Sequence, residues 1–413
     1  MTGLRIPQTL CLLLAAVAVP LCTAADWPQF LGPTRNGVST ETGLKATWPE
    51  KGPPVIWEKN VGDGFSGPVV VGDRVILFHR VGDEEVVECL SAADGVTKWK
   101  TGYPTHYQDA LGKGDGPRST PLVADGRVYT LGADGVLQCL KLEDGDKVWR
   151  RALHEDYEVA KSYFGVGTSP MLMDGRLLVN IGGKGGAGIV AFNKDDGKEV
   201  WKADDHDASY SSPVSADVGG RQRAVFLTRE GLIALDPANG AVQYSKHWRS
   251  RMEASVNAAT PLVVDGRIFL TACYGTGAVL LQPTKEGLEE VWKSNEVLSC
   301  HYGTPVYHEG YLYGFDGRQE ETARLRCVAL KSGKVQWTAE SFGCGSMIVA
   351  DGKLIILTEN GDLVLANASK EKYEELARAA VLTNRPCRAP IALADGRLYG
   401  RDGRKLVCWD LKK

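Results

Sequence analysis

The stretch that decides the fold begins at Thr120-Pro121 and runs through Leu122-Val123-Ala124-Asp125-Gly126 into Arg127-Val128-Tyr129-Thr130-Leu131. Asp134-Gly135 then leads into Val136-Leu137-Gln138-Cys139-Leu140, and Asp144-Gly145 is followed by Trp149. Asp-Gly between alternating strands is a strong hairpin signal, because both turn residues tolerate positive φ. The stretch therefore reads as a four-stranded antiparallel meander.

The unit repeats along the chain. Its anchor, a small residue followed by proline, recurs at Gly67-Pro68, Ser169-Pro170, Ser212-Pro213, Thr260-Pro261, Thr304-Pro305 and Ala389-Pro390, with a degenerate copy at Ser346-Met347. With Thr120-Pro121 this makes eight units. One meander cannot bury both of its faces, whereas eight stacked radially can, and only short edges are left open. The expected fold is all-β: an eight-bladed β-propeller of four-stranded antiparallel blades.

The unit ends on Trp99, Trp149, Trp201, Trp292 and Trp337, with Tyr244 in the place once. These are read as packing residues between blades, each able to satisfy its indole N–H on a neighbouring backbone. The last unit supplies three strands. Val55-Ile56-Trp57-Glu58-Lys59 is a Trp strand with no blade before it, so the N-terminal strand is expected to complete blade eight and remove the open edge. Ser369 followed by Tyr373, Leu376, Ala377 and Ala380 at helical spacing predicts a short helix over the seventh unit.

Outside the repeats, Arg5, the apolar run Leu10 to Val19, Pro20 and Thr23-Ala24-Ala25 have the form of a secretory signal occupying residues 1–25. The protein is thus expected to be exported, to the periplasm or outside the cell. Leu21 before Cys22 argues against a lipidation site, and no later run is long enough to span a bilayer. Residues 26–54 are expected to form an extended arm across one face of a propeller spanning 55–413. The 413 residues are 43% hydrophobic and 24% charged, with a formal net charge of −3. That is globular composition without the basic field of a nucleic-acid binder.

The run Ala191-Phe192-Asn193-Lys194-Asp195-Asp196-Gly197-Lys198-Glu199-Val200-Trp201 closely resembles the tryptophan-docking repeat of the pyrroloquinoline-quinone (PQQ) propellers. That superfamily includes quinoprotein alcohol dehydrogenases and the non-enzymatic propeller lipoprotein of the outer-membrane barrel-assembly machinery. The opening Asp26-Trp27-Pro28-Gln29-Phe30-Leu31-Gly32-Pro33 looks like the arm of the exported bacterial PQQ-binding-like β-propeller repeat proteins. The resemblance implies the fold and leaves the function open. The dehydrogenases carry a vicinal disulfide against the quinone, and no two cysteines here are adjacent. Their calcium and general-base carboxylates find no match, so no cofactor is expected and PQQ has no supporting residues.

Other motifs have simpler readings. Gly183 to Gly188 fits G-x-G-x-x-G but lies between strands, so it is a hairpin. Asp204, Asp205, His206 and Asp207 read as a solvated loop. Cys89, Cys139 and Cys408 take a position that is Ala191, Ala234 and Ala329 elsewhere, where a small buried residue is wanted.

The connections from outer to inner strands are long, as at Thr101 to Arg118, Ala152 to Gly167 and Lys246 to Ala258. In a propeller they share one face, around the channel mouth, where binding residues concentrate. The candidate ligand or partner site there is Arg118, Tyr163, Tyr210, Asn257, His301, Tyr302 and Arg385. Three residues before each anchor stand Phe65, Arg118, Gly167, Tyr210, Ala258, Tyr302, Cys344 and Cys387, expected to form one ring facing the axis. Cys344, Cys387 and Cys300 carry three readings: free thiols, a disulfide, or a thiolate–imidazole metal site with His301. The expected function is a non-enzymatic, monomeric binding or scaffold propeller whose partner is an envelope protein or small ligand, not nucleic acid. The alternatives are an enzyme with a polar channel-mouth site, redox or carbohydrate-active, and a propeller that retains a quinone-like ligand.

Overall fold

A computed structural model describes residues 26–112, 114–159, 164–319 and 321–413. The signal segment and Tyr163 lie outside them. The described residues form eight four-stranded antiparallel sheets, each a blade. Blade 2 shows the pattern: Leu122–Ala124, Arg127–Leu131, Val136–Lys141 and Lys147–Ala152 pair in sequence order from inside to outside. Blade 8 holds Ala392–Ala394, Arg397–Arg401 and Lys405–Asp410, and its outermost strand is Val55–Asn60 from the other end of the chain. Trp57 pairs with Cys408 and Glu58 with Val407. The ring is closed as expected. No described helix is long and apolar enough to cross a membrane.

Tryptophans lock six of the eight blades to the next. The indole N–H of Trp99 donates to Leu142 O at 3.0 Å, Trp149 to Lys194 O at 3.0 Å, Trp201 to Pro237 O at 3.1 Å and Trp292 to Leu330 O at 2.7 Å. Trp57 repeats the contact across the closure, to Ala92 O of blade 1 at 3.1 Å. Each acceptor lies in the last turn of the following blade, and a glycine in that turn lies under the ring. A Cβ on Gly145 would stand 2.4 Å from Trp99, and φ there is +77°. Only glycine meets both conditions. The Asn193–Gly197 run is the docking turn of blade 3: Asn193 Oδ1 accepts from Asp195 N and Asp196 Oδ1 from Lys198 N, so its polar side chains shape the turn.

A second set of joints lines the channel. Gly67 N–H donates to Thr120 Oγ1, Thr120 N–H to Ser169 Oγ, Ser169 N–H to Ser212 Oγ, Ser212 N–H to Thr260 Oγ1 and Thr260 N–H to Thr304 Oγ1. The small hydroxyl residue before proline is therefore the acceptor for the preceding blade's amide.

Two expectations are corrected. No helix covers blade 7: Glu375–Ala380 is its outer strand, with Ala377 opposite Leu365, where other blades place tryptophan. Ser369 supplies the carbonyl that accepts the Trp337 indole at 2.8 Å, and Tyr373 packs 5.7 Å from that ring. The demand for a fourth strand outweighs the local helical spacing. In blade 6 the residue equivalent to Cys89 is Cys327, which faces Trp337, not Ala329.

The closure joint holds a buried polar cluster. Lys59 on the closing strand lies 3.4 Å from Glu88 of blade 1 and donates to Thr97 Oγ1 at 2.9 Å. Thr97 donates to Glu88 at 2.5 Å, and His79 Nε2 lies 3.3 Å from the same carboxylate. His79 Nδ1 accepts from Gly62 N–H, which requires that nitrogen unprotonated. Burial pulls His79 below 6.5 despite Glu88. Burial alone would raise Glu88 from 4.5, but His79, Thr97 and Lys59 outweigh it and hold it at about 2. Both groups bind protons more readily in the unfolded chain, so each withdraws stability as pH falls. The melting temperature is predicted to decline as pH drops below 6.5 and again between 4.5 and 2. Glu88→Gln should flatten the lower limb in a thermal-melt series across that range.

Candidate functional site

Residues 26–54 cross the face of the ring that carries the first turn of each blade. Trp27 bridges to Val70 of blade 1, and Pro28 O accepts from Val123 N of blade 2. Val349 N of blade 7 donates to Gly37 O, and Leu44 N donates to Asp351 Oδ2. Between these contacts Arg35 enters the channel. Its guanidinium donates to Pro213 O at 2.7 Å, Pro170 O at 3.1 Å, Ser169 O at 3.1 Å and Gln29 Oε1 at 3.1 Å. Burial without a carboxylate pulls Arg35 down to about 9.

Phe30 of the arm floors a cavity of about 400 Å³ at the channel mouth. Six of the eight aligned positions line it: Phe65, Arg118, Gly167, Tyr210, Ala258 and Tyr302. Phe164, Val256, Tyr274, His301, Arg318 and Arg388 complete much of the wall. Tyr210 stands where it does because Gly167 has no side chain: a Cβ there would lie 2.7 Å from the Tyr210 ring. The Tyr210 hydroxyl accepts from Phe164 N–H at 3.0 Å, and the two rings meet edge to face at 5.5 Å. Asn257 is buried behind this wall. Its amide donates to Thr228 O at 2.9 Å and Trp248 O at 3.0 Å, so it braces the loop. His301 sits between Tyr274 Oη at 2.8 Å and Gln319 Oε1 at 2.5 Å.

The arginines at the wall are stacked on aromatic rings, and Arg118 and Arg388 are ion-paired. Arg118 lies 5.6 Å from the Phe65 ring centre, 5.7 Å from Tyr107 and 5.9 Å from Phe164, and reaches Asp109 at 2.5 Å. Arg388 lies 5.8 Å from Phe65 and 5.9 Å from Tyr302, and reaches Glu359 at 2.5 Å. Arg318 stacks on Tyr274 at 4.7 Å. Burial, with Glu359 close by, pushes the Tyr302 phenol well above its ordinary range.

Arg385 is exposed and takes no part in the wall; Arg388 and Arg318 stand there instead. Cys344 and Cys387 flank Glu359, whose N–H donates to Cys344 O and whose carbonyl accepts from Cys387 N–H. Both cysteines are buried outside the cavity lining. Among the described residues no disulfide joins Cys344 to Cys387 or to Cys300, and no group of three His, Cys, Asp or Glu is arranged to hold a metal. Burial pushes the Cys387 thiol up to about 12 and Cys300 well above its ordinary range, so both are protonated and disfavoured as metal ligands. The residues do not fit a PQQ–calcium site either. Such a site needs carboxylate ligands for the cation and free donors for the quinone's carboxylates, whereas Asp109 and Glu359 are committed to Arg118 and Arg388.

The family described as outer membrane protein assembly factor BamB matches residues 50–163 and 83–339. The chain belongs to the BamB propeller family. It is 23% identical to outer membrane protein assembly factor BamB of Moranella endobia, over 78% of this chain and 82% of that one. To BamB of Burkholderia pseudomallei it is 25% identical, over 73% and 76%. The solved BamB of Moraxella catarrhalis superposes with a TM-score of 0.63 at 15% identity, over 87% of this chain and 98% of that one. A quinohemoprotein alcohol dehydrogenase from Pseudomonas putida HK5 superposes at 0.62 with 13% identity, over 94% and 80%. At such identities the structural likenesses speak for the fold alone.

Arg35 lies 6.0 Å from the ring centre of Phe30, the cavity floor, and ties that part of the arm to blades 3 and 4. Arg35→Ala would leave the carbonyls of Ser169, Pro170 and Pro213 without that partner inside the channel. The predicted cost is about 2–4 kcal/mol by denaturant unfolding. Limited proteolysis should cut the variant within residues 26–54 faster than the wild type.

Proposed function

We propose that this protein is a non-enzymatic scaffold of the cell envelope that receives an apolar side chain of a partner protein in the channel-mouth cavity. The observation that carries the reading is the bowl of aromatic residues in which Arg118 and Arg388 are already ion-paired. Such a surface offers desolvation and shape to a partner, and aromatic and arginine residues are the types that dominate protein hot spots. Phe65, Tyr210 and Tyr302 supply the contact area, Arg118 holds the rim, His301 is fixed by its two hydrogen bonds, and Asn257 braces the wall. Arg385 belongs to the surrounding loop face. Membership of a family named for outer membrane protein assembly, together with the export signal read in residues 1–25, supports a periplasmic partner.

The test is photocrosslinking from two exposed positions in living cells. Leu111 borders the cavity and Val96 lies on the outer rim of blade 1. A photoreactive residue at Leu111 is predicted to capture one discrete envelope protein, and Val96 is not. Tyr210→Ala together with Tyr302→Ala should abolish the Leu111 product while the propeller remains folded by circular dichroism. Equal capture from both positions, or capture indifferent to the tyrosines, would contradict the proposal. A small-molecule adduct seen by native mass spectrometry and lost in the same variant would favour a ligand site instead.

A further inference from the structure

A second concavity lies beside the first, between blades 4 and 5. It has a volume of about 740 Å³ and shares Met252 and Tyr274 with the mouth cavity. Its walls differ in kind. His247, Arg249, Arg251 and Lys293 line it, and no aspartate or glutamate does among the described residues. Two carboxylates lie outside the lining: Glu290 is engaged by Lys246 at 2.9 Å, and Glu230 interacts with the Arg249 charge.

Three buried polar atoms on lining residues make no hydrogen bond among the described residues: Trp248 Nε1, Arg249 Nε and Thr276 Oγ1. Trp248 is 3% exposed, so its indole N–H is desolvated in the folded protein. Trp248 follows the outer strand of blade 4, whose docking position is held by Tyr244, and its indole has no carbonyl partner of the kind that serves Trp99 or Trp149. A buried donor without an acceptor is costly, and such groups in native proteins call for an explanation. Lys293 Nζ lies 5.2 Å from the Trp248 ring centre, which places a fixed positive charge over the same floor.

We propose that this cleft is a binding site for a phosphate ester, with Arg249, Arg251 and Lys293 neutralising the anion and the Trp248 indole, Arg249 Nε and Thr276 hydroxyl donating to its oxygens. The donor set selects the ligand class. A phosphate monoester presents three terminal oxygens and close to two negative charges, and so can use several donors arriving from different directions. A carboxylate has two oxygens in one plane and would leave part of the set unused. Arginine is also suited to phosphate through its fork of N–H groups. Lys293 covers the Trp248 ring, so the floor is not offered for stacking on a sugar or base. The phosphate group is the recognised element, whether it is carried by a soluble ester or by a lipid headgroup.

Calorimetric titration of the full chain tests the site with four probes: inorganic phosphate, glycerol 3-phosphate, glutamate, and phosphatidylcholine vesicles with or without phosphatidic acid. Saturable binding of glycerol 3-phosphate, with glutamate inert, supports the proposal with a soluble source. Binding confined to vesicles containing phosphatidic acid supports it with a lipid source. In either case the double variant Arg249→Gln, Lys293→Gln should bind at least about tenfold more weakly with an unchanged melting temperature. Should that variant be destabilised, Thr276→Val supplies the same comparison with no change of charge. No saturable binding of any phosphate probe, binding of glutamate as tight as that of phosphate, or affinity indifferent to these substitutions overturns the assignment.

Discussion

The structure depends on one repeated hydrogen bond, from a tryptophan indole on the outer strand of one blade to a carbonyl in the last turn of the next. The indole covers a large apolar area and would bury a polar N–H at cost if that donor were unpaired. At five joints glycine lies under the ring in the acceptor turn, as Gly145 does beneath Trp99. Geometry and composition are therefore coupled at these joints: a tryptophan here goes with a glycine one blade further on, while Trp337 docks on Ser369 O in a turn without glycine. The closure joint obeys the same rule through Trp57 and Ala92, which makes the N-terminal strand part of the ring. Blade 7, whose outer strand has Ala377 in the tryptophan position, is served differently. Trp48 of the arm joins the core shared by blades 7, 8 and 1, where Leu376 and Ala377 pack against it.

With the rim locked by tryptophans and the channel lined by a relay of hydroxyls, the two faces are free to specialise. One is sealed by residues 26–54, whose Arg35 is held by carbonyls from blades 3 and 4. The other carries the long loops, where the mouth cavity and the basic cleft share Met252 and Tyr274. The cavity is largely aromatic, with Arg118 and Arg388 ion-paired; the cleft is cationic with buried donors unpaired. Different chemistries side by side on one rigid rim suit a scaffold that contacts more than one feature of its surroundings.

The legibility of this fold in the sequence follows from locality. Asp-Gly turns, alternating strands and docking tryptophans are short-range signals, so blade number, blade composition and ring closure could be read directly. The alignment even placed Met347 in the proline position, and the register agrees: Ile348 faces Ile355 as Val69 faces Ile76. What could not be read depends on contacts distant in sequence. The helix expected after Ser369 lost to the strand that blade 7 requires. Phe30 enters the mouth cavity from the opposite face, which no spacing announces. The small residue before the anchor proline is legible, but the role of Thr120, Ser169, Ser212, Thr260 and Thr304 as acceptors for the preceding blade appears only in three dimensions. Arg385 and Arg388 are three residues apart, and loop geometry alone decides which faces the cavity.

The central claim is that indole docking across the closure joint holds the ring shut, and Trp57 tests it most directly. Trp57→Phe keeps an aromatic ring over Gly95 but removes the donor to Ala92 O; Trp57→Ala removes both. The measurement is equilibrium unfolding of the two variants, with the oligomeric state followed by light scattering. The account predicts a loss of about 1–2 kcal/mol for phenylalanine and about 3–5 kcal/mol for alanine, with self-association of the alanine variant through the exposed edge. Wild-type stability and a monomeric state for Trp57→Ala would contradict it.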